Sequence, residues 1–134
     1  MHLPTVGLLS IHNRKLLLAF SNNKQCFYLP GGKVDANETP LDALLREIEE
    51  ELNVLLDVKD LQYYTHITAP AYGEKNNIIM EQDCYLVTEQ INPFPSAEIG
   101  ALKYFTLTEY ELEQNQAPGA RIILQQLKED ELID

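Results

Sequence analysis

Five glutamates crowd the stretch from residue 38 to residue 51: Glu38, Glu47, Glu49, Glu50 and Glu51. On a helix, Glu47, Glu50 and Glu51 stand at i, i+3 and i+4, within an arc of about 100°. Carboxylates that close repel one another, at a few tenths of a kcal/mol per pair. They also sit toward the C-terminal half of the helix, where its dipole disfavours anions. A hard divalent cation offsets both costs, because Mg²⁺ takes a few carboxylates together with substrate phosphates. A solvated acidic face is the plain alternative for a bare E-x-x-E-E pattern. The flanking residues shift the balance toward the cation. Gly31-Gly32 allow a tight turn that can bring a carbonyl oxygen to the same ion. Arg46 lies four residues before Glu50, a spacing that permits an ion pair holding that carboxylate in place.

A helix must present these groups, and the sequence marks its ends. Thr39 is a good N-cap, Pro40 suits the first helical position, and Asp42 complements the helix start. Leu41, Leu44, Leu45, Ile48 and Leu52 form one apolar stripe at helical spacing. Asn53 stands where a left-handed C-terminal residue is expected. Ahead of the helix, residues 3–11 and 15–20 are apolar runs around a short polar break, which predicts a hairpin. Residues 26–29 predict a third strand, ended by a turn at Pro30-Gly31-Gly32. Further strands are predicted near 62–67, 78–88 and 102–107. A loop tip is expected at 73–77 and another loop at Pro93 and Pro95. Pro118 opens a last amphipathic helix carrying Ile122, Ile123, Leu127 and Leu132. Strands, helix, strands, helix is the order of an α+β fold with a mixed sheet, not of regular βαβ alternation.

The chain has 134 residues, which fits one compact domain over 1–134. Ten Lys+Arg against 21 Asp+Glu give a net charge of −11. That sign opposes DNA or long RNA, whose binding rests on neutralising phosphates. It allows a small phosphorylated substrate, because a bound cation reverses the local field. Cys26 and Cys84 form no C-x-x-C and are expected as buried free thiols. No signal-peptide pattern and no run of about 18 apolar residues occurs, so the expected setting is cytoplasmic and not a membrane. Gly31-Gly32-Lys33 lacks the spacing and following hydroxyl of a P-loop. The histidines lack zinc-ligand spacing, and no G-x-S-x-G nucleophile motif occurs.

The segment Gly32-x5-Glu38-x7-Arg46-Glu47-Ile48-Glu49-Glu50-Glu51-Leu52-Asn53-Val54 resembles the Nudix box, G-x5-E-x7-R-E-U-x-E-E-x-G-U with U apolar. Only the late glycine differs: Asn53 replaces it, and Asn keeps the left-handed preference at modest cost. The preceding Leu-Pro-Gly-Gly is also similar to the family.

The resemblance implies a Nudix-type α/β/α sandwich around a mixed β-sheet. It implies that Glu47, Glu50 and Glu51 ligate Mg²⁺, or Mn²⁺ in its place, helped by the Gly32 carbonyl. Arg46 and Glu38 would position those carboxylates. The implied reaction is water attack on a phosphorus of a nucleoside diphosphate linked to another group. Glu98, before the last strand, matches the place of a loop glutamate that serves as general base in MutT-type members; Glu81 and Glu51 are alternatives. From the residues themselves, Lys33 is a candidate for phosphate, and Tyr28, Tyr72, Phe27 and His66 for stacking on a base or sugar. Packing or solvation is the plain role for each.

A MutT-like nucleoside triphosphate pyrophosphatase is the first expectation. Nucleotide-sugar, dinucleoside polyphosphate and ADP-ribose hydrolysis are its alternatives. A nucleotide-sensing module without catalysis is the rival from another class, and the complete carboxylate set argues against it. An acidic interaction protein is a third reading, which predicts no effect of metal. Family members are often dimers, so a homodimer is allowed, with no face indicated.

Overall fold

The computed structural model describes residues 1–75 and 77–134. The chain runs through His2–Leu9 (β1), Ile11–His12 (β2), Lys15–Ser21 (β3), Cys26–Tyr28 (β4), Gly31–Lys33 (β5), Pro40–Leu52 (α1), Leu61–Pro70 (β6), Ile79–Val87 (β7), Ile99–Phe105 (β8), Leu107–Tyr110 (α2) and Pro118–Glu129 (α3). One sheet has the order β5-β1-β7-β6, with β1 and β7 parallel and the other pairs antiparallel. The second sheet centres on β3, which pairs with β2, β4 and β8, all antiparallel. This is the expected α+β architecture of a mixed sheet between helices.

The apolar runs of β1 and β3 are nearly continuous because both faces are covered. Val6, Leu8 and Leu17 pack with Ala43, Leu44, Ile48 and Leu52 of α1. Leu9, Leu16 and Leu18 turn the other way and pack with Ala120, Ile123, Leu124 and Leu127 of α3. Leu44, Ile48 and Leu52 are fully buried, as the stripe predicts. Both cysteines are free and buried. Among the described residues, no helix is long and apolar enough to cross a membrane.

Four expectations are corrected. The 3–11 and 15–20 runs do not pair as one hairpin. The hairpin is β2–β3 alone, while β1 leaves for the other sheet and pairs with β7 from residue 2 to 9. Pro30-Gly31-Gly32 is not simply a turn, since Gly31 and Gly32 belong to β5, opposite Gly7 and Val6. On α3, Ile122 faces outward at 41% exposure and Leu124 takes its place in the core. Leu132 lies beyond the helix end. The strand near 102–107 begins earlier, at Ile99, and ends at Phe105. Thr106 then caps the short α2. Of the 73–77 loop, residue 76 lies outside the described residues.

Candidate active site

Helix α1 is built to present its carboxylates at a fixed angle. The Asp42 N–H donates to Thr39 Oγ1 at 3.1 Å and the Thr39 N–H donates back to Asp42 at 3.4 Å, a reciprocal cap. At the other end Asn53 adopts φ 57° and ψ 36°, and its N–H donates to the Glu49 carbonyl. Its side chain does more than the conformational role expected of it. Asn53 Nδ2 donates to the Phe94 carbonyl at 2.7 Å and to Ser96 Oγ at 3.1 Å. The Ser96 N–H and hydroxyl donate to the Glu51 and Glu50 carbonyls. The orphan carbonyls of the helix end are thereby satisfied, and the loop leading to Glu98 is tied to α1.

The paired glycines bring backbone against the helix. Gly31 has φ +143°, and a Cβ there would stand 2.0 Å from the Val6 carbonyl oxygen. A Cβ on Gly32 would stand 2.5 Å from the Glu47 carboxylate carbon. Only glycine admits the first approach, and a side chain at Gly32 would have to push the Glu47 carboxylate from its place beside Arg46. The Gly31 N–H donates to Glu51 Oε1 at 3.1 Å.

Arg46 organises the far side. Its Nε and Nη2 grip both oxygens of Glu38, at 2.7 and 2.8 Å, and Nη1 donates to Glu47 at 2.7 Å. Nη2 also donates to the Lys33 carbonyl at 3.2 Å. The pair with Glu50 expected from spacing is present but longer, at 3.7 Å. The Arg46 hydrogen bonds hold Glu38 down to about 2, with the Asp35 N–H adding to them. Glu47 moves the other way, because burial raises it against the pull of Arg46.

Glu51 is the group under most tension. It is only 6% exposed. Burial pushes its carboxyl up to about 8, opposed by the Gly31 N–H and reinforced by the charges of Glu47, Glu98 and Glu50. Among the described residues no cationic side chain pairs with it.

Glu47 and Glu51 open onto a cleft of about 330 Å³, together with Gly32, Lys33, Tyr28, Tyr72 and Glu98. That volume lies in the range of small-molecule sites. Glu98 accepts from Asn23 Nδ2 at 2.7 Å, Ser21 Oγ at 3.3 Å and the Tyr28 hydroxyl at 3.4 Å. Burial raises Tyr28 well above an ordinary phenol. Lys33 Nζ lies 3.2 Å from Glu74. Glu50, Arg46 and Glu38 stand outside the cleft lining, and Glu50 is exposed.

Other candidates lie elsewhere. Glu81 and His66 pair with each other on the outer face of the first sheet, at 2.8 Å. Phe27 packs edge-on between Phe20 and Phe105. Sequence reasoning missed Thr5, Lys24, Met80 and Gln82, all of which line the cleft. Strand alternation was the available signal for two of them: Met80 and Gln82 share a face with buried Cys84, and Glu81 and Asp83 point away. Among the described residues, no three His, Cys, Asp or Glu side chains converge into a closed cation cage. The carboxylates line one wall and leave the other side open to the cleft.

A model of the NUDIX domain matches residues 1–127. The ADP-ribose pyrophosphatase of Methanocaldococcus jannaschii is 44% identical over 57 residues, 41% of this chain and 34% of that protein. The 8-oxo-dGTP diphosphatase of Proteus vulgaris is 31% identical over 91 residues, 68% of this chain and 58% of that protein. The matches therefore span less than two thirds of either relative. The crystal structure of a MutT NUDIX hydrolase from Burkholderia pseudomallei superposes with a TM-score of 0.77 at 26% identity, covering 95% of this chain and 98% of that one. The same strand-and-helix frame and a family match over nearly the whole length lead to one assignment: this chain belongs to the NUDIX domain family.

Proposed function

We propose that this chain is a Mg²⁺-dependent hydrolase that cleaves the phosphoric anhydride of a small nucleotide by water attack, with a nucleoside triphosphate as its first-choice substrate. One observation carries the reading. Glu51 is a buried carboxylate at the cleft wall, crowded by Glu47 and Glu98 and answered by a single backbone N–H. An isolated buried charge is costly unless a counter-charge reaches it. The donor set fits a hard divalent cation, with Mn²⁺ as substitute, since all its atoms are oxygens. Glu47, Glu51 and the exposed Glu50 would hold it from α1, with the Gly32 carbonyl beside them. Bound there, Mg²⁺ neutralises phosphate charge and acidifies a water.

The chain's own groups supply the rest. Arg46 fixes Glu47 and Glu38 and so sets the carboxylate wall. Lys33 faces the cleft and meets phosphate charge. Glu98 takes the proton of the attacking water, because its carboxylate lies in the cleft wall held by three donors. The reading is supported by relatives named 8-oxo-dGTP diphosphatase and ADP-ribose pyrophosphatase. Hydrolysis of ADP-ribose, nucleotide sugars or dinucleoside polyphosphates is the alternative outcome of the same chemistry. We place this activity in the cytoplasm.

The test is a panel of nucleoside triphosphates and diphosphate-linked nucleotides, with and without Mg²⁺, for wild type, Glu50→Gln and Glu51→Gln. Mg²⁺-dependent cleavage lost in Glu51→Gln supports the proposal, and the best substrate fixes the subclass. A folded protein that binds nucleotide and cleaves none, with any divalent metal, would establish a sensing module instead.

A further inference from the structure

The inner half of the cleft holds a polar group that the carboxylate chemistry does not use. Gln82, on β7, lines the cleft and is 6% exposed. Its one side-chain partner among the described residues is the Cys84 thiol, 4.0 Å from Oε1, too long and too weak a contact to satisfy an amide. Nε2 donates to no described protein acceptor. The amide nonetheless has a defined place. Gly7 provides the slot for it: a Cβ there would stand 3.2 Å from both Cδ and Nε2 of Gln82. Thr5 is the β1 neighbour of Gln82 in register and also lines the cleft, with its hydroxyl donated to the Glu81 carbonyl at 3.2 Å. Leu3, Met80 and Ala117 make the surrounding wall apolar.

A largely buried amide whose Nε2 opens onto the cleft without a protein partner is a recognition element, because a ligand group that pairs with it replaces water there while an apolar one would strand it. It offers one donor and one acceptor side by side, whichever way the amide is turned. A nucleobase edge presents the matching acceptor and donor, as in the bidentate pairing of Gln with adenine. A phosphate offers acceptors only. The apolar neighbours suit the faces of a planar ring.

We propose that Gln82 reads the hydrogen-bonding edge of the substrate's nucleobase, which enters the inner half of the cleft while the phosphates lie at Lys33, Glu47 and Glu51. This rests on the reading of the cleft as a nucleotide site. It makes Gln82, with Gly7 holding its amide in place, the residue that determines base preference.

The test uses the full chain and two readouts. First, the Gln82 side-chain amide is assigned in a ¹H–¹⁵N spectrum by its loss in Gln82→Leu. It is then followed as ATP, GTP, CTP, UTP, ADP-ribose or inorganic tripolyphosphate is added with Ca²⁺. Second, affinities for the same compounds are compared among wild type, Gln82→Leu and Gln82→Met, the last keeping an unbranched side chain of similar length. The expected result is that the preferred nucleotide moves the amide and tripolyphosphate does not. Both variants then lose about tenfold or more in affinity for that nucleotide, and differences among bases flatten. Tripolyphosphate binding stays within twofold. An amide unmoved by every nucleotide, or base preference retained in both variants, overturns the inference. Hydrolysis of the panel with an unmoved amide sinks the base reading and leaves the proposed reaction standing. A shifted amide without hydrolysis does the reverse.

Discussion

Two of the acidic clusters on this protein are handled in opposite ways. On the outer face of the first sheet, Glu81 and Asp83 flank His66 at 2.8 Å each, and His2 meets Glu81 at 2.6 Å. Each carboxylate there has an imidazole partner and stands near solvent. Those contacts hold Glu81 down to about 2, with His66 the largest cause. On α1, Glu47 has one guanidinium contact and Glu51 has none, although Glu51 is the most buried acid of the group. Acidic residues by themselves are therefore uninformative. The informative case is a buried carboxylate whose counter-charge the chain does not supply, because only a retained proton or a cation from outside relieves its charge.

The sharpest way to break the comparison is to neutralise one acid in each cluster. Glu51→Gln is expected to lower turnover by roughly 10²- to 10⁴-fold, while Glu81→Gln leaves it within twofold. Steady-state rates on the best substrate of the panel decide between them, and equal losses would erase the distinction.

Next in size is the pH dependence of metal-free stability. The folded Glu51 carboxyl keeps its proton up to about 8, whereas an unfolded glutamate loses it near 4.5. The unfolded state binds fewer protons between those values, so stability falls as pH rises. This contribution is fully present below pH 4.5 and lost through pH 8. It amounts to about 5 kcal/mol at most. Urea unfolding in a chelator should show the slope for wild type and a flatter one for Glu51→Gln. Mg²⁺ should flatten the wild-type slope by favouring the ionised form.

Arg46→Ala comes third. Its guanidinium joins Glu38, Glu47 and the Lys33 carbonyl, and losing that frame should cost about 10- to 100-fold in metal affinity or turnover. Calorimetric titration with Mn²⁺ would show it. The smallest effect belongs to His66→Ala. Its two carboxylate partners raise the imidazole above its ordinary value, so its contribution is complete below pH 6.5 and fades as pH rises. The ring is 41% exposed, which keeps the effect below about 1 kcal/mol. Mg²⁺ should not change it.

Helix α1 was legible because its signals are local. Thr39, Pro40, Asp42, the leucine stripe and Asn53 each act within one or two turns. The pairing of β1 was not legible. Its partner β7 lies some 75 residues along the chain, and a continuous apolar run buried on both faces carries no marker of which strand it meets. The Nudix-like spacing indicated which acids to watch. It did not indicate their burial, so Glu50 and Glu51 looked equivalent in sequence although one is exposed and the other sealed against Gly31. Gln82 was hidden for a similar reason. It stands between Glu81 and Asp83, so the run reads as three polar residues, and only the alternation that puts it on the face of buried Cys84 turns it into the cleft.

Mn²⁺ binding, followed by the electron paramagnetic resonance signal of the free ion, decides whether Glu51 helps to hold a cation. Wild type, Glu51→Gln and Glu81→Gln would be titrated without substrate. The account predicts Mg²⁺-displaceable binding in wild type and Glu81→Gln, weakened at least tenfold in Glu51→Gln. Equal binding in all three, or binding lost in Glu81→Gln alone, would contradict it.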